Sequence, residues 1–367
     1  MIKANISLLA ITIVFFFSCR NGQVTESRDP LKWPFSSSSI WNMPIGDSAI
    51  YVDAQLMSLT KGMAVTENVI IFSPQSPIMQ IYANYTDWDA SRNRCEPEGA
   101  ILISAPCPND FVYGYEQWGK GLPGGNLAIL MADGRTIRQT QPFARCKAGG
   151  PGTSHYLFAD QDIYGDGIYG SIGNSDLSAV GGTLRIGEGM PDSGPIRHVL
   201  KLALSTRENV YYDSETKGFR WPAPKSDLAA GEYYGKYRQA PPVKALRMGA
   251  LLAIPDWITI DSLELETEPG KIVAAAFHDY GAYVATDAAP GTWSIISEFG
   301  PDGRYIDEFA KKWGMNFETL NDDSGWTRDL NKIYNSLHVV DNNGPNSIGG
   351  GGKPRQPLAP EFSINKK

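Results

Sequence analysis

Between Thr153 and Leu204 the chain concentrates side chains suited to acid–base chemistry: His155, His198, Asp160, Asp162, Asp166, Asp176 and Glu188, set among glycines and aromatics. Asp160 and Asp162 are two residues apart, so an extended backbone puts both on one face, and Gly165 and Gly167 permit a sharp turn. Glycosidic hydrolysis needs two carboxyl groups flanking the scissile bond. Asp160, Asp162 and Glu188 are the catalytic candidates for such a reaction. Glu188 follows the apolar run TLRI and stands between Gly187 and Gly189, where a strand end would admit a substrate; a salt bridge with Arg185 or Arg197 is the structural alternative. The same acidic turn can equally be solvated or hold calcium, with Asp162 and Asp166 as hard oxygen ligands. Tyr164 occupies the third ligand position of an EF-hand loop, so calcium is suggested only by ligand type, and no other cofactor is suggested.

Alternation through IRHVLKLAL places Ile196, His198, Leu200 and Leu202 on one face and Arg197, Val199 and Lys201 on the other. His198 then reads as a hydrogen-bonded core residue, while Arg197 and Lys201 either line a cleft for an anionic substrate or face solvent. His278-Asp279-Tyr280 ends a helical pattern, where the carbonyl end of the dipole favours an imidazolium. A uronate lyase would use such a trio, with His278 or Tyr280 as base and Arg197 neutralising the carboxylate. His155, Arg197, His278 and Tyr280 are therefore candidates for substrate binding. HExxH, GxSxG and CxxC motifs are absent, and the four histidines stand singly at 155, 198, 278 and 338, so a zinc site of usual spacing has no support.

The elements that must position these residues read as mainly β. VIIF, IMQIYANY, AILIS, FVYGY, NLAILMADG, GGTLRIGE, IRHVLKLAL, MGALLAIP and YVATD are strand-length runs bounded by turn residues. Asp133-Gly134 signals a two-residue hairpin. Helices are expected late: Pro269 to Tyr280 capped by Thr267 and stopped at Gly281, Tyr305 to Met315, and Thr327 to Leu337. Strands followed by helices without alternation argue against a doubly wound sheet. The expected fold is a β-sandwich or jelly-roll-like core with a few peripheral helices in the C-terminal third.

The 367 residues carry a net charge of −7, which excludes a polyanion bound over a broad basic surface and so disfavours nucleic acid. Lys3 and the apolar run Ile6 to Phe17 form an export signal too short to span a bilayer comfortably. Its end, Phe16-Phe17-Ser18-Cys19, resembles the lipobox of bacterial lipoproteins, with Phe16 where leucine is usual. That resemblance implies a signal over 1–18, lipidation at Cys19, and a periplasmic or outer-membrane location through a lipid anchor. Residues 19–32 read as a tether, 33–342 as one catalytic or binding domain, and 343–367 as a Gly/Pro-rich tail. WPFSSSSIWNMPIG forms an irregular aromatic strap, in which Trp33 and Trp41 either pack or stack on sugars. Of Cys95, Cys107 and Cys146 two are expected to pair in an oxidising compartment; Cys95 with Cys107 closes the shortest loop, and all three pairings stay open.

WPFSSSSIWNMPIG, GGTLRIGEG with IRHVLKLAL, and FHDYGAYVATD followed by HVVDNNGPNSIGGGG together resemble a group of secreted bacterial and fungal proteins of unassigned chemistry. The resemblance spans most of residues 33–357, implies a single domain, and carries over no catalytic residue. The leader resembles those of Bacteroidota surface proteins, many of which handle glycans. The expectation is an exported enzyme that cleaves a polysaccharide or oligosaccharide by glycoside hydrolysis. A uronate lyase and a non-catalytic glycan-binding surface lipoprotein are the alternatives.

Overall fold

A computed structural model describes residues 28–86, 89, 91–115 and 124–362. The export signal, Cys19 and the first part of the tether lie outside the described residues. The fold is mainly β, with three mixed sheets and few helices. In the first seven-stranded sheet the order is Tyr51–Asp53, His338–Val340, Leu251–Ala253, Ala282–Asp287, Leu200–Leu204, Thr292–Ile295 and Gly62–Met63. The second runs Gln161–Asp162, Thr136–Phe143, Gly125–Leu130, Glu67–Ile71, Ser297–Gly300 and Gly303–Arg304, with Tyr156–Leu157 also pairing on Thr136–Phe143. Ile101–Pro106, Ile78–Ala83 and Gly152–Ser154 make the third.

The sheets form layers because successive strand residues point to opposite faces. In Gly125–Leu130, Ala128 and Leu130 join the core shared with Leu200, Leu202 and Leu204 of the first sheet. Leu127 and Ile129 instead meet Met79, Ile81, Ile103 and Ala105 of the third sheet. Two chain segments cross between the large sheets. Gly62–Met63 and Thr292–Ile295 pair in parallel in the first sheet, and their continuations Glu67–Ile71 and Ser297–Gly300 pair in parallel in the second.

Three longer helices cover the first sheet's surroundings. Thr267 Oγ1 accepts from Gly270 N at 3.1 Å and caps Glu268–Asp279, which stops before Gly281 at φ +74°. Tyr305–Trp313 ends at left-handed Gly314, and Gly325–Asn335 starts at Ser324, whose side chain accepts from Thr327 N. These agree with the helices expected from spacing. The Asp133-Gly134 hairpin is present, with Gly134 at φ +65°, but its connection covers 131–135 because Asp133 accepts from Arg135 N and Thr136 N as a turn of its own.

Three sequence expectations about strands are corrected, the first being FVYGY at 111–115, which forms only the isolated Tyr113–Arg145 bridge. Residues 181–188 form turns with a single bridge, Leu184 to Ser297, because Gly182 and Gly187 take positive φ and break any ladder. The strand expected over Ile196 to Leu204 starts only at Leu200 and is buried on both faces. Lys201 is therefore fully buried rather than solvated. The Gly/Pro-rich segment after 342 docks along the surface: Arg355 Nη1 donates to His278 O at 2.6 Å and its Nη2 to Tyr51 Oη at 2.6 Å. Its backbone abuts the N-terminal strap so closely that a Cβ on Gly46 would lie 1.8 Å from Gly351 O.

Candidate functional site

The carboxylates singled out from the sequence do not converge. Asp160 pairs with Arg138 at 3.3 Å, and Asp162 with Arg135 at 2.5 Å, both pairs largely exposed on the outer edge of the second sheet. Glu188 accepts from Arg185 N at 2.8 Å and faces His198 Nε2 at 3.0 Å. Arg185 in turn holds Glu298 at 2.8 Å, on the fifth strand counted from Asp162. Four strand spacings amount to roughly 19 Å, well beyond the ~5–10 Å that separates a hydrolytic carboxyl pair. The turn between Asp162 and Ile168 folds on itself: Asp162 accepts from Tyr164 N and Asp166 from Ile168 N. Asp162 is already committed to Arg135, which is poor chemistry for a cation site. Among the described residues no group of three or more His, Cys, Asp or Glu is placed to hold a metal.

The histidines and their neighbours divide by burial. His198 directs Nδ1 to Val199 O at 2.9 Å and Nε2 to Glu188, so both ring nitrogens meet acceptors, as an imidazolium requires. Burial alone would lower its pKa, but the Glu188 charge and hydrogen bond outweigh it and the net direction is upward. His278 pairs through Nδ1 with Asp279 at 2.7 Å, and Asp279 also accepts from Gln356 at 2.7 Å. Tyr280 is buried and its hydroxyl is pushed up to about 12 by desolvation, then by Asp279 against Arg197. A buried, reluctant phenol is a poor base for a lyase. Arg197 lies over the Trp33 ring, 5.4 Å from its centroid. Trp41 is core, donating its indole N–H to Gly167 O at 2.7 Å. Cys95 pairs with Cys146, and Cys107 is buried beside Arg145.

A cleft of about 750 Å³ opens where the edge strand Tyr156–Leu157 faces residues 225–233. Exposed Tyr156, Leu157 and Leu228 rim it, and Asn174, Asp176, Lys225 and Asp227 supply polar groups inside. The hydrogen bonds there are interlocked. Thr286 Oγ1 donates to Asn174 Oδ1, Asn174 Nδ2 donates to Asp227 Oδ1, and Tyr234 Oη donates to Asp227 Oδ2 at 2.8 Å. Gly173 lets the Gln141 amide approach closely, since a Cβ there would lie 2.0 Å from Gln141 Nε2 and displace it.

Comparison with protein-family models, curated proteins and solved structures finds no match to this chain.

A second carboxylate stands behind Tyr233. Asp287, at the end of Ala282–Asp287, accepts from Thr206 N at 2.9 Å and Thr206 Oγ1 at 2.6 Å through Oδ1, and its Oδ2 lies 3.3 Å from Arg207. Burial pushes its pKa up, the Thr206 hydrogen bonds and Arg207 resist, and the charge of Asp227 adds to the rise. Tyr233 joins the pair: burial and a hydrogen bond with Asp227 push its hydroxyl up, and Arg207 lies 4.7 Å over its ring. Asp227 and Tyr233 line the cleft, and Asp287 stands behind them, near enough for both carboxyl groups to act on the Tyr233 hydroxyl. Lys225, the cation among the described lining residues, is engaged with Asp176 at 2.8 Å, and Arg207, behind Tyr233, with Asp287.

Of these residues only Asp176 belonged to the acidic centre singled out in the sequence. Asp227 and Asp287 come from segments far apart in the chain and carry no local motif. The available signal was SDLAAGEYYG, an aspartate and two tyrosines around a short Ala230–Tyr233 turn.

Proposed function

We propose that this cleft binds a neutral carbohydrate chain and that the protein is a glycoside hydrolase with Asp287 and Asp227 as its carboxyl pair. The observation that carries the reading is the unequal environment of two interacting carboxyl groups. Asp287 is driven toward its protonated form by burial and by Asp227, as an acid donating to the glycosidic oxygen must be. Asp227, fixed by donors on both oxygens, takes the role of nucleophile or of base toward water. Tyr156 and Leu157 present the amphipathic surface on which the apolar face of a sugar ring rests. A neutral sugar is favoured over a uronate because Lys225, the cation among the described lining residues, is already paired with Asp176. The lipoprotein-type leader is in keeping with such work outside the cytoplasm.

The leaderless protein incubated with neutral and uronate-containing polysaccharides tests this. New reducing ends without ultraviolet absorbance are the expected result. Absorbance from unsaturated uronides would mean a lyase, and binding without any new ends across a wide panel would leave a glycan-binding protein and end the hydrolase reading.

A further inference from the structure

On another face, a crevice runs between the N-terminal strap and the turns at 180–185, lined among others by Lys32, Trp33, Thr183, Arg185 and His198. Arg185 is only 8% exposed. Its Nε and Nη2 bind Glu298, at 2.8 and 3.4 Å, and its Nη1 has no hydrogen-bond partner. A guanidinium nitrogen left buried and unpaired loses hydration without return, so the site stays favourable only if an acceptor enters it. The interior volume is about 20 Å³, enough for one oxygen-sized group rather than a whole ligand.

The surroundings select the charge of that group. Arg28 and Arg197 each lie 5.4 Å from the centroid of the Trp33 ring, Lys32 is exposed at the mouth, and His198 is drawn toward its charged form by Glu188. Glu188 and Glu298 are held by His198 and Arg185, Glu361 acts on Arg28, Asp279 stands near Arg197 and Glu308 binds Gly187 N, so among the described residues exposed Lys32 is the cation of this neighbourhood without an acidic partner. Arg28 is a second buried guanidinium on the same strap whose Nε and Nη1 lack partners.

We propose that this crevice is an oxyanion site, in which one oxygen of a carboxylate, sulfate or phosphate group accepts from Arg185 Nη1 while the rest of the ligand lies outside near Lys32 and Trp33. It is separate from the cleft at Asp227 and does not depend on the hydrolase reading. The anion would bridge the strap to the 180–185 turns.

Calorimetric titration of the leaderless protein with glucuronate, acetate, sulfate and phosphate, at ionic strength balanced with chloride, tests the site and separates a sugar acid from an inorganic anion. Saturable binding of at least one is expected. Arg185→Gln should weaken it about ten-fold or more, by removing a charge-assisted donor. That variant also strips Glu298 of its partner, so its far-ultraviolet circular dichroism is checked first. Lys32→Ala changes only an exposed side chain and should weaken binding about three-fold through lost attraction. Binding of glucuronate with silence from the other three identifies a sugar-acid subsite, and binding of sulfate or phosphate alone an inorganic one. No saturable heat with any of the four, or binding that Lys32→Ala and Arg185→Gln both leave unchanged, overturns the proposal.

Discussion

Lys201 Nζ lies 2.5 Å from Ser178 O and 3.0 Å from Ala179 O, deep in the first sheet and over the Trp41 ring. The residue is fully buried, and desolvation lowers its pKa well below 10.5 with no charged neighbour to offset it. The unfolded chain therefore binds a proton that the folded chain sheds over the window below 10.5. Stability from this group is complete above 10.5 and is lost as pH falls toward the folded value. Urea melts between pH 7 and 10 should show the wild type gaining at least ~1 kcal/mol, and Lys201→Met should flatten that slope. An unchanged slope in the variant would show that the lysine keeps its charge when folded.

The Glu188–His198 pair has the opposite sign. The folded pKa of His198 is raised above 6.5, so its contribution is complete below 6.5 and is lost as pH rises through the folded value. His198→Gln should cost about 1–3 kcal/mol near pH 5.5 and distinctly less at pH 9. Equal costs at both pH values in denaturant melts would argue for a packing role instead.

Asp329 ties two helices together. It accepts from Glu266 N and Thr267 N at 2.8 Å and from Thr267 Oγ1 at 2.7 Å, with no exposed surface. Asp329→Ala strands three donors at the start of Glu268–Asp279, and a loss of about 2–4 kcal/mol is expected in thermal or urea unfolding. A loss below 0.5 kcal/mol would mean that water replaces the carboxylate at that helix start.

Cys95–Cys146 spans 51 residues and fastens the third sheet's surroundings. Reduction, or the double replacement by serine, should lower stability by about 2–4 kcal/mol. Cys107 should resist a thiol reagent in the native protein, because burial pushes its thiol up to about 11. One thiol reacting fast without denaturant would contradict that burial.

If Asp287 is the acid, turnover on a responsive polysaccharide falls as pH rises through its raised pKa, and Asp287→Asn lowers kcat about 10²–10⁴-fold. Asp227→Asn should do comparable damage, whereas Asp160→Asn and Asp162→Asn leave kcat near wild type. Activity retained in both cleft variants would move the chemistry elsewhere.

The β content and the three late helices were legible because apolar period and capping residues are local signals, as Thr267 and Gly281 illustrate. The acidic turn at Asp160 to Asp166 was equally visible but misleading: its arginine partners sit on the Thr136–Phe143 strand and in the turn just before it, and pairing across strands leaves no trace in spacing. Lys201 failed the alternation rule because a strand central in a covered sheet buries both faces. The cleft was least legible, since Asn174, Asp227 and Asp287 meet only after distant segments are brought together by the first and second sheets.

The parallel pairing of 62–71 with 292–300 also sets an order of events in time. Both large sheets take a strand from near each end of the chain, so neither can be completed until almost the whole polypeptide is present. Contacts this distant in sequence make for slow folding. A chain with this topology keeps both large sheets incomplete until the segment 292–300 has docked beside 62–71.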